Sequence, residues 1–311
     1  METRRIGSLW VSVVALGCTT LGRELDEGRS AQLVSEAIDA GINFFDTAEA
    51  YGVPRGTSEI NLGLALRGRR DRAVIATKFG SRLKDGVQGP GGGKPEVVRS
   101  SVEASLKRLG TDRIDLLQLH RPDPATPIAD TLGAMRELQK QGKVVEIGSS
   151  NFSAAELAAA AAADGRGFAS VQNEYNLLHR EPEAAVLPYC ARSGTAFMPW
   201  YPLANGLLTG KYRKNATTPE GSRLTEDPAR REAFVNDRNL DVVERLIAYA
   251  EARGHTVLEL AFAWLVATPS IASVIAGMRT GAQARSNVAA ASGWKLSAEE
   301  KTAIDGIAAG M

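Results

Sequence analysis

The chain of 311 residues is 44% hydrophobic and 23% charged, the composition of an ordinary globular protein with a large core. A net charge of +1 without a sustained basic block argues against nucleic acid or an anionic membrane surface as the main partner. Two cysteines and three histidines provide neither a disulfide framework nor the spacing of a metal site, so we expect no metal.

The N-terminal segment superficially resembles a secretory signal, because two arginines precede the apolar run Leu9–Gly17 and Cys18 follows it. Ser12 interrupts this short run, and the residues before the cysteine match a lipobox poorly. We predict instead a β-hairpin in RRIGSLWVSV that leads into a first strand, and a cytoplasmic location. No apolar stretch reaches the roughly 18 residues that a membrane span needs, so we expect none.

Apolar, β-branched runs then alternate with amphipathic stretches along the chain. We predict eight strands, at Val13–Gly17, Asn43–Thr47, Ala73–Thr77, Ile114–Leu119, Val144–Gly148, Ser170–Asn173, Ala196–Trp200 and Ser273–Ala276. Helices are predicted at Ser30–Ala40, Glu59–Leu66, Pro95–Leu109, Ile128–Lys140, Ala154–Ala163, Glu183–Arg192, Asn239–Ala252, Val257–Ala267 and 297–309. Because eight alternating units close naturally, the sequence predicts one α/β domain over residues 1–311, a (β/α)8 TIM barrel with an N-terminal β-hairpin and extra helices.

The alternative to a barrel is an open, doubly wound parallel sheet. That fold would place a G-x-G-x-x-G turn after an early strand, and the chain has no such motif. The glycine-rich segment GPGGG at 89–93 follows no strand directly, so we interpret it as a loop.

Local signals mark several helix starts and two long loops. Ser30 is a candidate N-cap, Pro95 a candidate first residue of a helix, and Ser153 begins a capping-box pattern. The connections Gly80–Lys94 and Leu203–Asn236 are long for a compact domain, and such loops are often lids or binding loops.

Four ionisable side chains stand at or just past the ends of successive strand-like runs. Asp46 and Tyr51 lie in FDTAEAYG, Lys78 ends VIATK, and His120 ends IDLLQLH. Each residue alone also suits a structural role, such as a turn cap or a solvated strand end. The carboxyl ends of parallel strands meet on one face, however, and barrels do their chemistry there. The joint placement therefore favours one site built from three strands.

These residue types suit proton transfer by a phenol. The ordinary pKa of tyrosine is about 10, and a nearby ammonium favours the phenolate. Asp46 would hold Lys78 in place, and His120 would orient a carbonyl oxygen. Hydride must then come from a cofactor, because no side chain supplies it.

The chain resembles an aldo-keto reductase nearly from end to end. The segments that carry the resemblance are GINFFDTAEAYG, SEINLGLAL, VIATKFG, SVEASLKRLGTDRIDLLQLHRPD, GKVVEIGSSNF, VQNEYNLL, PLANGLLTGKY and VIAGMRTGAQARSNVAA. The resemblance implies a (β/α)8 barrel that uses NADPH without a Rossmann fold. It also implies that the catalytic tetrad is Asp46, Tyr51, Lys78 and His120, with Tyr51 as general acid, or as base in the oxidative direction.

The same resemblance implies a set of cofactor-binding residues. Ser150, Asn151 and Gln172 would hold the nicotinamide carboxamide, and Trp200 would stack on the nicotinamide unless it only fills the core. The nucleotide phosphates and adenine would be bound by Tyr201, Pro202, Leu203, Gly206, Leu208, Lys211, Gly277, Met278, Arg279, Gln283 and Asn287. Arg279 would pair with a 2′-phosphate, which is the reason to expect NADP(H) rather than NAD.

The sequence departs from the family pattern near the cofactor. Tyr201 stands where serine is usual, and Ala276 replaces a common proline. These departures bear on how the nucleotide is held rather than on the tetrad.

The substrate is expected to be a small carbonyl compound or sugar that lies against Thr20, Glu49, Phe79 and Arg121. Glu49 and Arg121 suggest a polar substrate, unless either residue belongs to a surface ion pair. Carbonyl reduction is the first hypothesis, and oxidation of a sugar or alcohol by the same residues is the second. A third is a channel-associated subunit that binds NADPH with little turnover, as some proteins of the family do.

Overall fold

The structure, a computed structural model, describes residues 1–81, 83–84, 87–214, 216–217, 222–226, 231–232 and 234–310. Its strands in chain order are β1 (Thr3–Ile6), β2 (Leu9–Ser12), β3 (Val14–Gly17), β4 (Phe44–Asp46), β5 (Val74–Phe79), β6 (Leu83–Lys84), β7 (Val87–Gln88), β8 (Ile114–Leu119), β9 (Val144–Ser150), β10 (Ser170–Glu174), β11 (Ala196–Trp200) and β12 (Val274–Gly277). The helices span Glu27–Asp39, Thr57–Ala65, Pro95–Leu109, Ile128–Lys140, Ala154–Asp164, Val186–Ser193, Arg223–Glu226, Asp237–Glu251, Val257–Val266, Gly281–Gly293 and Ala298–Ala308.

Eight strands form a closed barrel, which confirms the predicted fold. Their order around the barrel is β3-β4-β5-β8-β9-β10-β11-β12, and β12 pairs with β3 to close it. Every neighbouring pair in the barrel is parallel. All eight strand carboxyl ends therefore lie on one face of the barrel.

The predicted N-terminal hairpin is also present, as the antiparallel pair β1–β2. Ile6 and Val11 of this hairpin are fully buried and pack against barrel residues that include Ala15, Phe44 and Leu116. The hairpin therefore covers one end of the barrel interior, and the opposite end is left for the site.

Most local predictions hold, and two are wrong. Pro95 is the first residue of its helix, and Ser153 forms the capping box with Glu156. The first helix, however, begins at Glu27 with Asp26 as its N-cap, because the Asp26 carboxylate accepts a hydrogen bond from Arg29 N at 2.8 Å.

The stretch predicted as the helix Glu183–Arg192 is also divided in two. A 3-10 turn at Glu181–Ala184 precedes the helix Val186–Ser193, and Ala185 between them is not helical.

Two barrel strands run two residues past their predicted ends, which matters for the site. β5 continues to Phe79 and β9 to Ser150, so Lys78 and Ser150 lie within strands rather than just beyond them. Lys78 pairs with Gln118 of β8 and Ser150 with Gln172 of β10, so strand pairing fixes the backbone at both positions.

The two long connections carry short elements of their own. The segment after β5 holds the pair β6–β7, and the segment after β11 holds a 3-10 turn at Ala204–Thr209 and the helix Arg223–Glu226. Parts of both predicted loops lie outside the described residues. No helix in the described part of the chain is long and apolar enough to cross a membrane.

Candidate active site

The four ionisable residues meet at the carboxyl face of the barrel. Asp46 ends β4, Lys78 is the penultimate residue of β5, and His120 directly follows β8. Lys78 Nζ lies 2.6 Å from Asp46 Oδ2 and 3.3 Å from Tyr51 Oη. The Tyr51 and His120 rings meet edge to face, with centroids 5.9 Å apart.

The Asp46–Lys78 ion pair is buried and supplied with further hydrogen bonds. The Lys78 side chain is fully buried, and its ammonium also donates to Thr47 O at 2.9 Å. The second carboxylate oxygen of Asp46 accepts from Gln172 Nε2 at 2.8 Å and from Gln118 Nε2 at 3.3 Å. A buried ion pair is costly unless its remaining hydrogen-bond donors and acceptors are paired, and here four neighbouring groups pair with them.

Gln118 is a residue that the sequence interpretation missed. It is fully buried in β8, the run IDLLQLH, and it touches Asp46 directly. A glutamine inside an otherwise apolar strand was the available signal, because a buried amide requires polar partners.

The electrostatics keep Lys78 charged. Burial disfavours its ammonium, but the negative charge of Asp46, together with Tyr51, outweighs burial and raises the pKa of Lys78 above its ordinary value. Lys78 is therefore a permanent positive charge beneath the phenol.

The pKa of Tyr51 is raised rather than lowered. Burial is the main cause, and although Lys78 favours the phenolate, its effect does not overcome burial and the negative charge of Asp46. The expectation that a nearby ammonium favours the phenolate holds for Lys78, but the larger cost of burying a phenolate is visible only in the structure. Tyr51 is thus protonated at neutral pH, as a proton donor must be.

His120 is neutral at ordinary pH. Burial, followed by the positive charges of Lys78, Arg121 and Arg55, holds the pKa of His120 well below its usual value. A neutral imidazole offers one N–H donor, which suits a carbonyl oxygen.

The three residues expected at the nicotinamide form a connected group beside the tetrad. Asn151 Nδ2 donates to His120 O and to Ser150 Oγ, both at 3.0 Å, and Ser150 Oγ donates to Gln172 O at 2.8 Å. Trp200 ends the next strand, β11, and meets Tyr201 edge to face at 4.7 Å. The structure therefore brings these residues to the carboxyl face, with the Gln172 side chain already donating to Asp46.

The segment after β11 contains buried polar atoms that lack partners. Asn205 is 7% exposed, yet neither its side-chain nitrogen nor its oxygen has a hydrogen-bond partner among the described residues, and the same holds for the buried Tyr212 hydroxyl. Asn205 also adopts a positive φ of 55°. Unpaired buried amides are costly, and polar groups of a bound molecule would supply the missing partners.

Asn205 was not among the residues expected from the sequence, although its neighbours were. Gly206 has a φ of 101°, and a Cβ there would lie 3.0 Å from the Lys211 side chain. Pro202 and Leu208 are buried, and Leu203 is partly buried.

The residues after β12 place a guanidinium near the surface. Arg279 Nε lies 2.5 Å from Glu24 Oε2, and the backbone N of Arg279 donates to Gln283 Oε1 at 2.7 Å. Met278 and Asn287 are buried, and Gly277 ends the strand. Glu24 is an acidic partner for Arg279 that the sequence interpretation did not anticipate.

The four residues expected to contact substrate differ in their accessibility. Thr20 and Phe79 are each only 1% exposed, and the Thr20 hydroxyl donates to Met278 O. Glu49 accepts a hydrogen bond from Gly80 N at 2.9 Å and so fixes the start of the loop after β5. Neither Glu49 nor Arg121 forms an ion pair within the described part of the chain, and the Nε of Arg121 is buried without a partner there. The alternative that either residue belongs to a surface ion pair is therefore wrong for the described residues.

The structure combines a closed parallel barrel with a buried Asp–Lys–Tyr arrangement and a histidine at the carboxyl face. This combination is typical of one class of oxidoreductases. The family model described as "Aldo/keto reductase family" matches residues 13–309, and the chain belongs to that family.

Similar proteins cover almost the whole chain. The aldo-keto reductase YhdN of Bacillus subtilis is 34% identical over 310 residues, covering 99% of this chain and 90% of that protein. A probable voltage-gated potassium channel subunit beta of Arabidopsis thaliana is 35% identical, with coverage of 93% and 91%. The structure of the glycerol dehydrogenase AKR11B4 from Gluconobacter oxydans superposes with a TM-score of 0.84 at 30% identity, covering 99% of this chain and 95% of that one.

Proposed function

We propose that this protein reduces the carbonyl group of small aldehydes or ketones with NADPH, using Tyr51 as the general acid. The observation that carries the proposal is the contact of Lys78 with both Asp46 and Tyr51 beside a neutral His120. Membership of the aldo-keto reductase family, which generally uses nicotinamide cofactors, supports it.

The roles of the residues follow from their geometry. Tyr51, kept protonated by burial, donates its proton to the carbonyl oxygen, and the Lys78 ammonium stabilises the phenolate that remains. Asp46 holds Lys78, and His120 donates a hydrogen bond that orients the carbonyl. When bound, the reduced nicotinamide supplies the hydride.

The described residues fit such a nucleotide. Ser150, Asn151 and Trp200 lie beside the tetrad, where a nicotinamide would have to reach a carbonyl held by Tyr51. The unpaired side chain of Asn205 offers both a donor and an acceptor to the phosphate-bearing part of the molecule. Arg279 supports a preference for NADPH, since a guanidinium can pair with a 2′-phosphate by two parallel hydrogen bonds. We therefore also propose that this phosphate either shares Arg279 with Glu24 or displaces Glu24 from it.

The oxidative direction is a second candidate function. The structural likeness to a glycerol dehydrogenase favours it, and the same tetrad serves both directions with Tyr51 as base. Similarity to a potassium channel subunit beta likewise keeps a cofactor-binding role with little turnover among the candidates.

The test compares the protein with Tyr51→Phe on a panel of small aldehydes, following the absorbance of NADPH. We expect turnover in the parent and a fall of about 10²–10⁴-fold in the variant, the range for loss of a general acid, with NADPH binding retained. Tyr249→Phe is the matched control, because Tyr249 lies on the outer helix Asp237–Glu251 away from the site.

The controls separate the candidates. Binding of NADPH without aldehyde turnover, but with oxidation of polyols, would favour the dehydrogenase. Full activity in Tyr51→Phe, or no nucleotide binding by the parent, would contradict the proposal.

A further inference from the structure

Arg121 brings a positive charge to the rim of the candidate site. It directly follows His120 at the end of β8, and its side chain is half-buried. The Nε atom is buried, and Arg121 forms no hydrogen bond or ion pair with any residue that the structure describes. A partly desolvated guanidinium without a counter-charge is unfavourable by itself, so it calls for an anion from outside the chain.

A second arginine lies at the same rim. Arg55 is in the turn that follows Tyr51, and its Nη2 donates to Ser81 O at 3.3 Å, which ties it to the loop after β5. No carboxylate in the described ranges pairs with Arg55. After burial and Lys78, the positive charges of Arg121 and Arg55 also lower the pKa of His120. Both guanidiniums therefore lie within electrostatic range of the His120 ring.

The neighbouring carboxylates are already engaged. Asp46 pairs with Lys78, and Glu49 accepts from Gly80 N. Asp123 is two residues from Arg121, but its oxygens accept from the backbone N–H groups of Gly91, Gly93 and Ala125 and from the Thr126 hydroxyl. None of these carboxylates is left to neutralise the two arginines.

The position of these arginines also separates them from the expected nucleotide phosphates. Arg55 and Arg121 follow β4 and β8, whereas the residues proposed for the phosphates follow β11 and β12. β4 and β8 flank β5, the strand that carries Lys78. An anion bound here would therefore belong to the substrate rather than to the cofactor.

We propose that the carbonyl substrate carries an anionic group, a carboxylate or a phosphate, which Arg121 binds in concert with Arg55 while the carbonyl faces Tyr51 and His120. This inference rests on the proposed function and specifies its substrate class. The planar guanidinium presents parallel N–H donors that match both kinds of oxyanion.

The test uses matched pairs of aldehydes that differ in the anionic group. One pair is succinic semialdehyde and pentanal, and the other is glyceraldehyde 3-phosphate and glyceraldehyde. We expect kcat/KM to be higher for at least one anionic member than for its neutral partner. Arg121→Gln should lower that anionic-to-neutral ratio about tenfold or more, mainly through KM, and Arg55→Gln should lower it less. Which pair responds distinguishes a carboxylate from a phosphate.

A control variant and a binding measurement keep the inference distinct from the proposed function. Arg67→Gln changes an exposed arginine just beyond the helix Thr57–Ala65, at the opposite end of the barrel, and should leave the ratio unchanged. Titration calorimetry with succinate and with inorganic phosphate reports anion binding even without turnover, and Arg121→Gln should weaken it about tenfold.

Two results would overturn the inference. One is aldehyde reduction with no preference for either anionic member. The other is an anionic-to-neutral ratio, or an anion affinity, that Arg121→Gln leaves unchanged. Either result would leave the reductase proposal standing, whereas loss of NADPH binding would count against the reductase itself.

Discussion

At the scale of single residues, burial decides the chemistry of the site more than any single charge does. Lys78 and Tyr51 both have raised pKa values, but burial acts on them in opposite directions. It disfavours the charged ammonium and so lowers the pKa of Lys78, and it disfavours the charged phenolate and so raises the pKa of Tyr51. Asp46 outweighs burial for Lys78, while Lys78 does not outweigh burial for Tyr51. The resting site therefore combines a charged amine, a protonated phenol and a neutral imidazole.

The low pKa of His120 predicts how stability depends on pH. In the unfolded chain the imidazole takes up a proton as the pH falls through about 6.5, whereas in the folded protein it stays neutral until a lower pH. Since the unfolded state binds more protons in this window, His120 lowers the free energy of unfolding as the pH falls below about 6.5, by up to about 1.4 kcal/mol per pH unit.

Urea unfolding between about pH 5 and 7 tests this prediction, because that interval brackets the ordinary histidine pKa. His120→Asn should flatten the fall in unfolding free energy, and Tyr51→Phe, which keeps the histidine, should retain it. An unchanged slope in His120→Asn would show that the imidazole binds as many protons in the folded protein as in the unfolded chain over this interval, which would contradict the prediction.

The residue types of the tetrad are evident from the sequence, because polar side chains interrupt apolar strand patterns at their ends. Their partners are less evident. Gln118 touches Asp46 and Glu24 pairs with Arg279 through contacts between segments distant in the chain, and the Asn205 amide is buried without a partner.

At the scale of elements, close contact between neighbouring helices holds the outer layer of the barrel together. Gly63 lies in the helix Thr57–Ala65 at its contact with the helix Pro95–Leu109, and a Cβ there would overlap the backbone carbonyl of Leu109. This helix begins soon after the turn that carries Tyr51, so its packing also supports the site.

Gly63→Ala should therefore destabilise the protein, although alanine is the better helix former. Overpacking against backbone costs about 1–3 kcal/mol. Gly133→Ala is the matched control, because a Cβ at this helical glycine would meet no atom within 4 Å. The control should gain about 0.5–1 kcal/mol from helix propensity. Chemical unfolding measures both changes, and equal signs for the two variants would contradict the packing argument.

At the scale of the whole molecule, the N-terminal hairpin closes one end of the barrel, and the candidate active site lies at the other. The hairpin β1–β2 places Ile6 and Val11 among the interior residues at the sealed end. The tetrad lies at the other end, where all eight strands finish. The hairpin residues that stabilise the barrel and the residues of the candidate site thus lie at opposite ends of the barrel axis.

Ile6→Ala should lower the free energy of unfolding by about 2–5 kcal/mol, since it empties a fully buried position in the sealed end. Trp10→Ala removes a larger side chain from the same hairpin, but Trp10 is 57% exposed and its ring forms a cation–π interaction with Arg5. We expect that loss to be about 1 kcal/mol or less. Unfolding followed by circular dichroism checks the order, and a greater loss in Trp10→Ala would mean that the hairpin does not seal the barrel.

Sequence alone determined the barrel, the hairpin and the four ionisable residues, because strand–helix alternation and polar interruptions of apolar runs are local patterns. It did not determine the N-cap at Asp26, the full length of β5 and β9, or the raised pKa of Tyr51. The unpaired Arg121 and the pairing of Arg279 with Glu24 were equally beyond it. The N-cap is a local choice between Asp26 and Ser30, two residue types that both cap helices well. The other properties depend on burial and on which distant side chains meet, and only the closed barrel sets both.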